Sequence, residues 1–306
     1  MRLIGIAMVF AATLAASETE ESLHRSVAIS SATHLRLNSD FGNVSIKPSD
    51  GRTVDVEASF HGDPPSRREF DRMLHDFSLK LTQQGSEVSL DAMFVHGWEP
   101  VLSFVLDGGF FGHHAMCHDW RCLTYSAWLD EVELRVTVPR QFGTSVMTSG
   151  GSIGVTGLKG EVAAHTSGGW LSFDRVEGPI NASTSGGGIS LSGVKGRSSV
   201  HTSGGWIRVS DMSGDLDAST SGGWISIDTA SGRIKAHTSG GWITARAISG
   251  AIDASTSGGG VTTDFPVAPA DEHNHSALHA PLNGGGPLVY LHTSGGWIHI
   301  KRSGGV

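Results

Sequence analysis

The stretch Gly223-Trp224-Ile225-Ser226-Ile227-Asp228-Thr229-Ala230-Ser231-Gly232-Arg233-Ile234-Lys235-Ala236-His237-Thr238 decides the fold. Residues 223–228 alternate apolar and polar side chains, residues 229–232 break the alternation, and residues 233–238 resume it, the pattern of two short strands joined by turns. Because neighbouring strand residues face opposite sides, Ile225, Ile227, Ile234, Ala236 and Thr238 point inward, and Trp224, Ser226, Lys235 and His237 point outward. The tetrapeptide Thr-Ser-Gly-Gly follows at Thr238, and it also begins at Thr148, Thr166, Thr184, Thr202, Thr220 and Thr256, each step being 18 residues. A further copy begins at Thr293, 37 residues after Thr256, beyond a Pro-, His- and Gly-rich stretch. A fixed period of this kind marks a solenoid. The inward pair recurs as Ile153/Val155, Leu171/Phe173, Ile189/Leu191, Ile207/Val209, Ile243/Ala245 and Ile298/Ile300. Stacked 18-residue coils would turn these pairs into aliphatic ladders with a spacing of about 4.8 Å. The paired glycines are expected at the corners, where the backbone needs φ > 0.

Composition agrees with an all-β chain. Forty-two glycines against ten prolines, with 17% charged residues, exclude a helical bundle and a disordered tail. A net charge of −8 disfavours nucleic acid and anionic membrane surfaces as partners. Met1-Arg2, the apolar run 3–16 and Ser17 have the positive start, short apolar core and small-residue exit of a secretory signal peptide. The run is too short to span a bilayer, so no membrane span is expected after cleavage. The protein is expected in the periplasm, at the cell surface or secreted.

The expected organisation is a signal peptide at 1–17, an irregular β region with one short helix and a Cys/His loop at 18–140, and the regular repeats at 141–263. An inserted loop at 264–287 and a closing C-terminal coil at 288–306 complete it. In the N-terminal region, Phe41-Gly42-Asn43-Val44-Ser45-Ile46 is a degenerate version of the later turn and strand. After Pro64-Pro65, Ser66 and Glu69 have capping-box spacing, and Phe70, Leu74 and Phe77 lie on one face at helical spacing. That helix is expected to cover an end or a side of the stack.

These residues resemble the bacterial putative-adhesin family of exported β-strand-repeat proteins, a domain of unknown function. The resemblance covers nearly the whole mature chain. It rests on Gly42-Asn43-Val44-Ser45-Ile46, Val136-Thr137-Val138-Pro139, the Thr-Ser-Gly-Gly repeats, and Leu282-Asn283-Gly284-Gly285-Gly286 with His292-Thr293-Ser294-Gly295-Gly296-Trp297-Ile298. It implies a right-handed parallel β-helix and an envelope or adhesive role, and it hands over no catalytic site. This chain departs from the commoner form in its tryptophans and in the Cys- and His-bearing segment from Met93 to Trp128.

Trp170, Trp206, Trp224, Trp242 and Trp297 share one outward position, with Ser152, Gly188 and Gly260 at the gaps. They read either as an exposed binding ladder for sugars or a partner's apolar surface, or as indoles stacked to cover a glycine-rich corner. His165, His201, His237 and His292 precede Thr-Ser-Gly-Gly, alternating with Ser183, Ser219 and Ser255. That alternation puts the histidines two coils, about 9.6 Å, apart, too far to share a metal ion. The face reads as solvated, with a pH-sensitive face as the alternative. Cys117 and Cys122 read as a local disulfide in an exported chain, with a metal site using His113, His114 or His118, or free thiols, as alternatives. His273, His275 and His279 read as plain connection. The turns lack the regular aspartates of calcium-binding β-rolls, and Asp174, Arg208, Asp228, Lys235 and Arg246 are too scattered for a paired-carboxylate glycosidase. The sequence therefore calls for no metal, no cofactor and no catalytic residues. The expected function is an adhesin or cell-envelope binding scaffold that uses an outer Trp/Ser/His face, with Trp170, Trp206, Trp224, Trp242, Trp297, His201 and His237 as its contact residues and a glycan or an envelope protein as its partner. A structural envelope protein without a ligand, or a glycan-active β-helix enzyme, are the alternatives.

Overall fold

The computed structural model describes residues 19–40, 42–94, 129–248, 250–266, 276–282 and 285–302. The signal-peptide stretch, Cys117 and Cys122, His113, His114 and His118, and His273 and His275 lie outside the described residues. The N-terminal part consists of β1 (Thr19–Ala28), β2 (His34–Ser39), β3 (Asn43–Ser49), β4 (Thr53–Gly62), α1 (Arg67–Asp76), β5 (Phe77–Gln84), β6 (Glu87–Phe94) and β7 (Leu129–Pro139). The regular repeats supply β8 (Gly143–Thr148), β9 (Ile153–Thr156), β10 (Val162–Thr166), β11 (Leu171–Asp174), β12 (Ile180–Thr184) and β13 (Ile189–Ser192). They continue with β14 (Ser198–Thr202), β15 (Ile207–Ser213), β16 (Leu216–Thr220), β17 (Ile225–Ser231), β18 (Ile234–Thr238) and β19 (Ile243–Arg246). The chain continues with β20 (Gly250–Thr256), β21 (Val261–Thr263), β22 (Ala277–Leu282), β23 (Leu288–Thr293) and β24 (Ile298–Lys301).

These strands form two 12-stranded sheets with mainly parallel pairing. Through the repeats the chain alternates between sheets, and each strand pairs in parallel with the strand 18 residues on, as Ile207 does with Ile225 and Leu216 with Ile234. The inward pairs read from the sequence are buried, down to Ile225 and Ile227 at zero exposure. A third inward column, Leu158, Val176, Val194, Met212, Ala230 and Ile248, closes the core at the turn between the sheets. It too recurs every 18 residues, and in the quoted stretch it hides as Ala230 within the break. Outside this column Lys159, Glu177 and Lys195 are joined by isolated parallel bridges. The Lys159 and Lys195 ammonium groups lie 2.9 and 3.5 Å from Glu177. The hydrogen bond and charge of Lys159 come first in holding the Glu177 carboxyl below its ordinary range.

The N-terminal end joins the same sheets. Leu35 and Leu37 pair with Thr144 and Val146, and Val44 and Ile46 with Ile153 and Val155, which places the degenerate turn in register with the regular ones. The outer strands here are antiparallel, β1 on β4 and β5 on β6, a change that ends the parallel stack. Ser66 caps α1 by accepting a hydrogen bond from the Glu69 N–H at 3.3 Å. The helix buries Phe70 and Met73 in the core cluster. Phe77, expected on the helix, is instead its extended C-terminal cap and begins β5. There it meets Phe60 and Phe94 edge-on at 4.8 and 5.2 Å.

Sequence order and stacking order part company at the other end. β23 lies between β18 and β20, and β24 lies between β19 and β21. The last repeat in the sequence thus sits inside the stack, and the 250–263 repeat lies beyond it. Part of the inserted stretch is itself a strand: β22 runs antiparallel along the outer edge of β20.

The structure corrects the expectation for the Gly-Gly pair. None of the paired glycines in the described repeats has positive φ. Left-handed backbone falls in the other turn, at Gly196 (φ 143°), Gly214 (133°) and Gly232 (115°), and at Arg175, Asp211, Thr229 and Ala247. The second glycine of each pair is required by close approach: a Cβ on Gly205, Gly223 or Gly241 would be driven into the carbonyl of the equivalent glycine one layer below. The neighbouring threonine completes the corner. Thr220 Oγ1 donates to the Gly205 carbonyl at 2.8 Å and accepts from the Gly223 N–H at 3.3 Å. Thr166, Thr184, Thr202 and Thr238 repeat both bonds, so an internal hydroxyl ladder satisfies polar groups that burial would otherwise penalise.

Candidate functional site: the outer aromatic face

The first sheet presents the tryptophan positions on its outer side. In stacking order they run Ser152, Trp170, Gly188, Trp206, Trp224, Trp242, Trp297 and Gly260, each residue preceding an inward Ile, Leu or Val that pairs with the next layer. In sequence order Gly260 would follow Trp242. The inserted last repeat places Trp297 there, so four tryptophans occupy consecutive layers.

Trp206, Trp224 and Trp242 are stacked, with ring centroids 5.4 and 6.1 Å apart and planes within 10°. The Arg208 guanidinium lies 5.5 Å from the Trp206 ring centroid and 5.4 Å from that of Trp224, a cation–π contact with two rings. Sequence reasoning counted Arg208 among scattered charges; its position two residues after Trp206, on the same face, was the available signal. The bottom of this stack leans on glycine: a Cβ on Gly188 would lie 2.5 Å from the Trp206 ring. Trp206 and Trp224 are half-buried by these contacts. Trp170, Trp242 and Trp297 are 64%, 51% and 53% exposed. Stacked indoles at the centre thus adjoin open aromatic surface on either side.

The second sheet carries the histidines outward, so the tryptophans and histidines do not form the single outer face expected from the sequence: successive strands of each repeat enter different sheets. His165 Nδ1 is hydrogen-bonded to Ser183 Oγ at 2.8 Å, His201 Nδ1 to Ser219 Oγ at 2.9 Å, and His292 Nδ1 to Ser255 Oγ at 3.0 Å. The expected two-layer separation fails for one pair. Because β23 lies against β18, His237 and His292 are neighbours, stacked with centroids 5.2 Å apart and planes within 3°. Burial first, and then the proximity of His292 and Lys235, pull the His237 imidazole below its ordinary pKa. His279, on β22, lies 3.1 Å from Asp253. Among the described residues no three His, Cys, Asp or Glu side chains are grouped to hold a metal ion.

Of the charged residues named from sequence, Asp228 and Arg246 come together as an ion pair, and Asp174 and Lys235 have other local partners. Asp228 pairs with Arg246 at 3.6 Å, Asp174 with Arg175 at 2.8 Å and Lys235 with Asp217 at 3.5 Å. No helix among the described residues is long and apolar enough to cross a membrane.

No protein-family model matches the chain, and no curated protein matches it by sequence. Solved structures give overlaps of low score. A putative adhesin from Bacteroides fragilis aligns over 92% of this chain and 97% of its own, with 12% identity and a TM-score of 0.39. A putative lipid binding protein from Parabacteroides distasonis covers the same shares, with 14% identity and a TM-score of 0.38. A putative cell adhesion protein from Clostridium sporogenes aligns over 93% of this chain and 100% of its own, with 10% identity and a TM-score of 0.28.

Proposed function

We propose that the chain is an exported right-handed β-solenoid that serves as an adhesion or cell-envelope binding scaffold, making contact through its outer Trp/Ser/His faces. Its role is binding rather than catalysis, and its partner is a glycan or an envelope protein. The observation that carries this reading is the row of outward tryptophans, of which Trp242 and Trp297 occupy adjacent layers and are each more than half exposed. Large apolar side chains left open side by side on a soluble surface mark contact sites. Export rests on the leader pattern of residues 1–17. The half-buried stack of Trp206 and Trp224 over Gly188 favours a second reading, a structural cover without a ligand.

Replacing Trp206, Trp224 and Trp242 together with Ser separates the two. Circular dichroism reports whether the sheets persist, and binding of labelled protein to cells and to immobilised glycans reports contact. A folded variant that has lost binding supports the scaffold as a binder. A folded variant that binds as well as the parent leaves the stack as a cover.

A further inference from the structure

The ladder changes direction at the inserted repeat. Trp206 lies over Gly188, and Trp224 and Trp242 stack parallel to it, so these three indoles lean towards the N-terminal end of the stack. Trp297 leans the other way. Its six-membered ring covers Gly260, the residue before β21, where an added Cβ would lie 2.9 Å from Cε3 and 3.1 Å from Cη2. Its plane is parallel to the His299 ring, which is itself hydrogen-bonded to Thr262 Oγ1 at 2.7 Å. Trp242 and Trp297 therefore spring from adjacent strands and splay apart, leaving a notch with an indole on each wall.

The same two strands continue outward in register as Thr244 beside His299 and Arg246 beside Lys301. Four residues of strand put the Arg246/Lys301 pair about 13 Å from the notch. Like charges at directly paired positions repel each other, and here they recur beside Arg302, on a chain whose net charge is −8. Among the described residues Arg246 has an exposed contact with Asp228 at 3.6 Å, of the kind that contributes little. Asp264 accepts a hydrogen bond from the Arg302 backbone N–H at 3.4 Å.

We propose that this notch and the cations beyond it form a binding site for an acidic glycan, with one sugar ring seated between Trp242 and Trp297 and a carboxylate further along the chain held by Arg246 and Lys301. The proposal rests on the reading of the aromatic face as a contact surface and narrows it to one place and one ligand class. An indole wall takes the C–H face of a sugar ring, and Thr244 and His299 between the two ends offer polar partners to its hydroxyls. The paired cations select the charged form over the neutral one.

The test uses the full mature chain, titrated with an oligogalacturonate and with its methyl-esterified counterpart, binding being read by calorimetry and by tryptophan fluorescence. The acid is expected to bind and the ester to bind about tenfold more weakly, with a salt dependence shown by the acid alone. Trp242→Ala is expected to weaken the acid about tenfold, and Lys301→Gln to bring the acid close to the ester, while Arg72→Ala on α1, away from the aromatic face, leaves both unchanged. Equal affinity for acid and ester, or no binding of either by the parent chain, overturns the proposal. Loss of binding in Trp170→Ala with Trp242→Ala unaffected also overturns it, and leaves the wider contact face standing. If Trp242→Ala, Trp170→Ala and the triple serine variant all bind cells and glycans as the parent does, the contact face falls with it.

Discussion

Alanine at two neighbouring glycines separates close packing from backbone freedom as the reason for the Gly-Gly pair. A Cβ on Gly222 would rest 3.7 Å from the Ser203 carbonyl oxygen and 3.8 Å from that of Gly204, which is ordinary contact. A Cβ on Gly223 would be driven into the Gly205 carbonyl, which is fixed by its hydrogen bond from Thr220. Neither glycine has positive φ. Gly222→Ala then acts mainly by restricting the unfolded chain and is expected to be neutral or to stabilise by up to about 1 kcal/mol. Gly223→Ala must force two layers apart. Overpacking costs about 1–3 kcal/mol, and the two hydrogen bonds of this corner, at about 1 kcal/mol each, are strained with it, for a total of about 3–5 kcal/mol. Urea unfolding of the two variants, followed by circular dichroism and by tryptophan fluorescence, measures the difference as a shift in midpoint at constant slope. Equal costs, or a greater cost for Gly222→Ala, would refute the close-approach argument, since a pair retained for left-handed backbone would be strained at both positions.

Other perturbations test the ladders and the stacking order. Thr220→Val removes a buried hydroxyl that both donates and accepts and is expected to cost about 1–3 kcal/mol in the same urea titration, because two part-buried backbone groups lose their partner. Ser198 is buried between Ile180 and Leu216 with an unpartnered hydroxyl, so Ser198→Val is expected to raise stability by about 1–2 kcal/mol; a lower midpoint would mean that the site does not accept the larger side chain. His237 has a depressed pKa in the folded chain, so between that value and the ordinary histidine pKa of about 6.5 the unfolded chain binds more protons. Its contribution is intact above about pH 6.5 and is lost as the pH falls through the folded value, and thermal melts from pH 7.5 to 5 should show a decline that His237→Asn reduces. The inserted repeat predicts which cysteine pairs can bridge. With Cys117 and Cys122 replaced by Ser, Lys235→Cys with Tyr290→Cys, on adjacent strands, should oxidise readily. Lys235→Cys with Asp253→Cys, about 9.6 Å apart across the intervening strand, should not.

Much of the architecture was legible because its causes are local. Ile225 and Ile227 alternate with Ser226 and Asp228 inside four residues, and that alternation determines which face is buried whatever lies above or below. The helix start was legible for the same reason, since Ser66 and Glu69 are three residues apart. The helix end was less so, because Phe77 fits both a helical face and the first position of β5, and its contacts with Phe60 and Phe94 decide the matter. The role of Thr220 lay in between. Its inward direction follows from parity, but its hydrogen bond reaches a carbonyl 15 residues away, and only the height of one layer brings the two together. On the aromatic face the shared tryptophan position and its outward direction could be read, while the opposite lean of Trp242 and Trp297 could not.

The 18-residue period, the two strands per repeat and the inward and outward sets follow from the residue pattern alone, because strand periodicity and turn chemistry act within a few residues. The order in which the repeats stack emerges only in the folded chain. Every repeat offers the same backbone donors and acceptors and the same Thr and Gly corner, so Thr293 bonds to Gly241 and Thr256 to Gly296 as readily as any consecutive pair. Equivalent repeats carry no local mark of their neighbours. The 288–302 segment could therefore take a place between the 234–246 and 250–263 repeats, setting His292 against His237 and Trp297 beside Trp242.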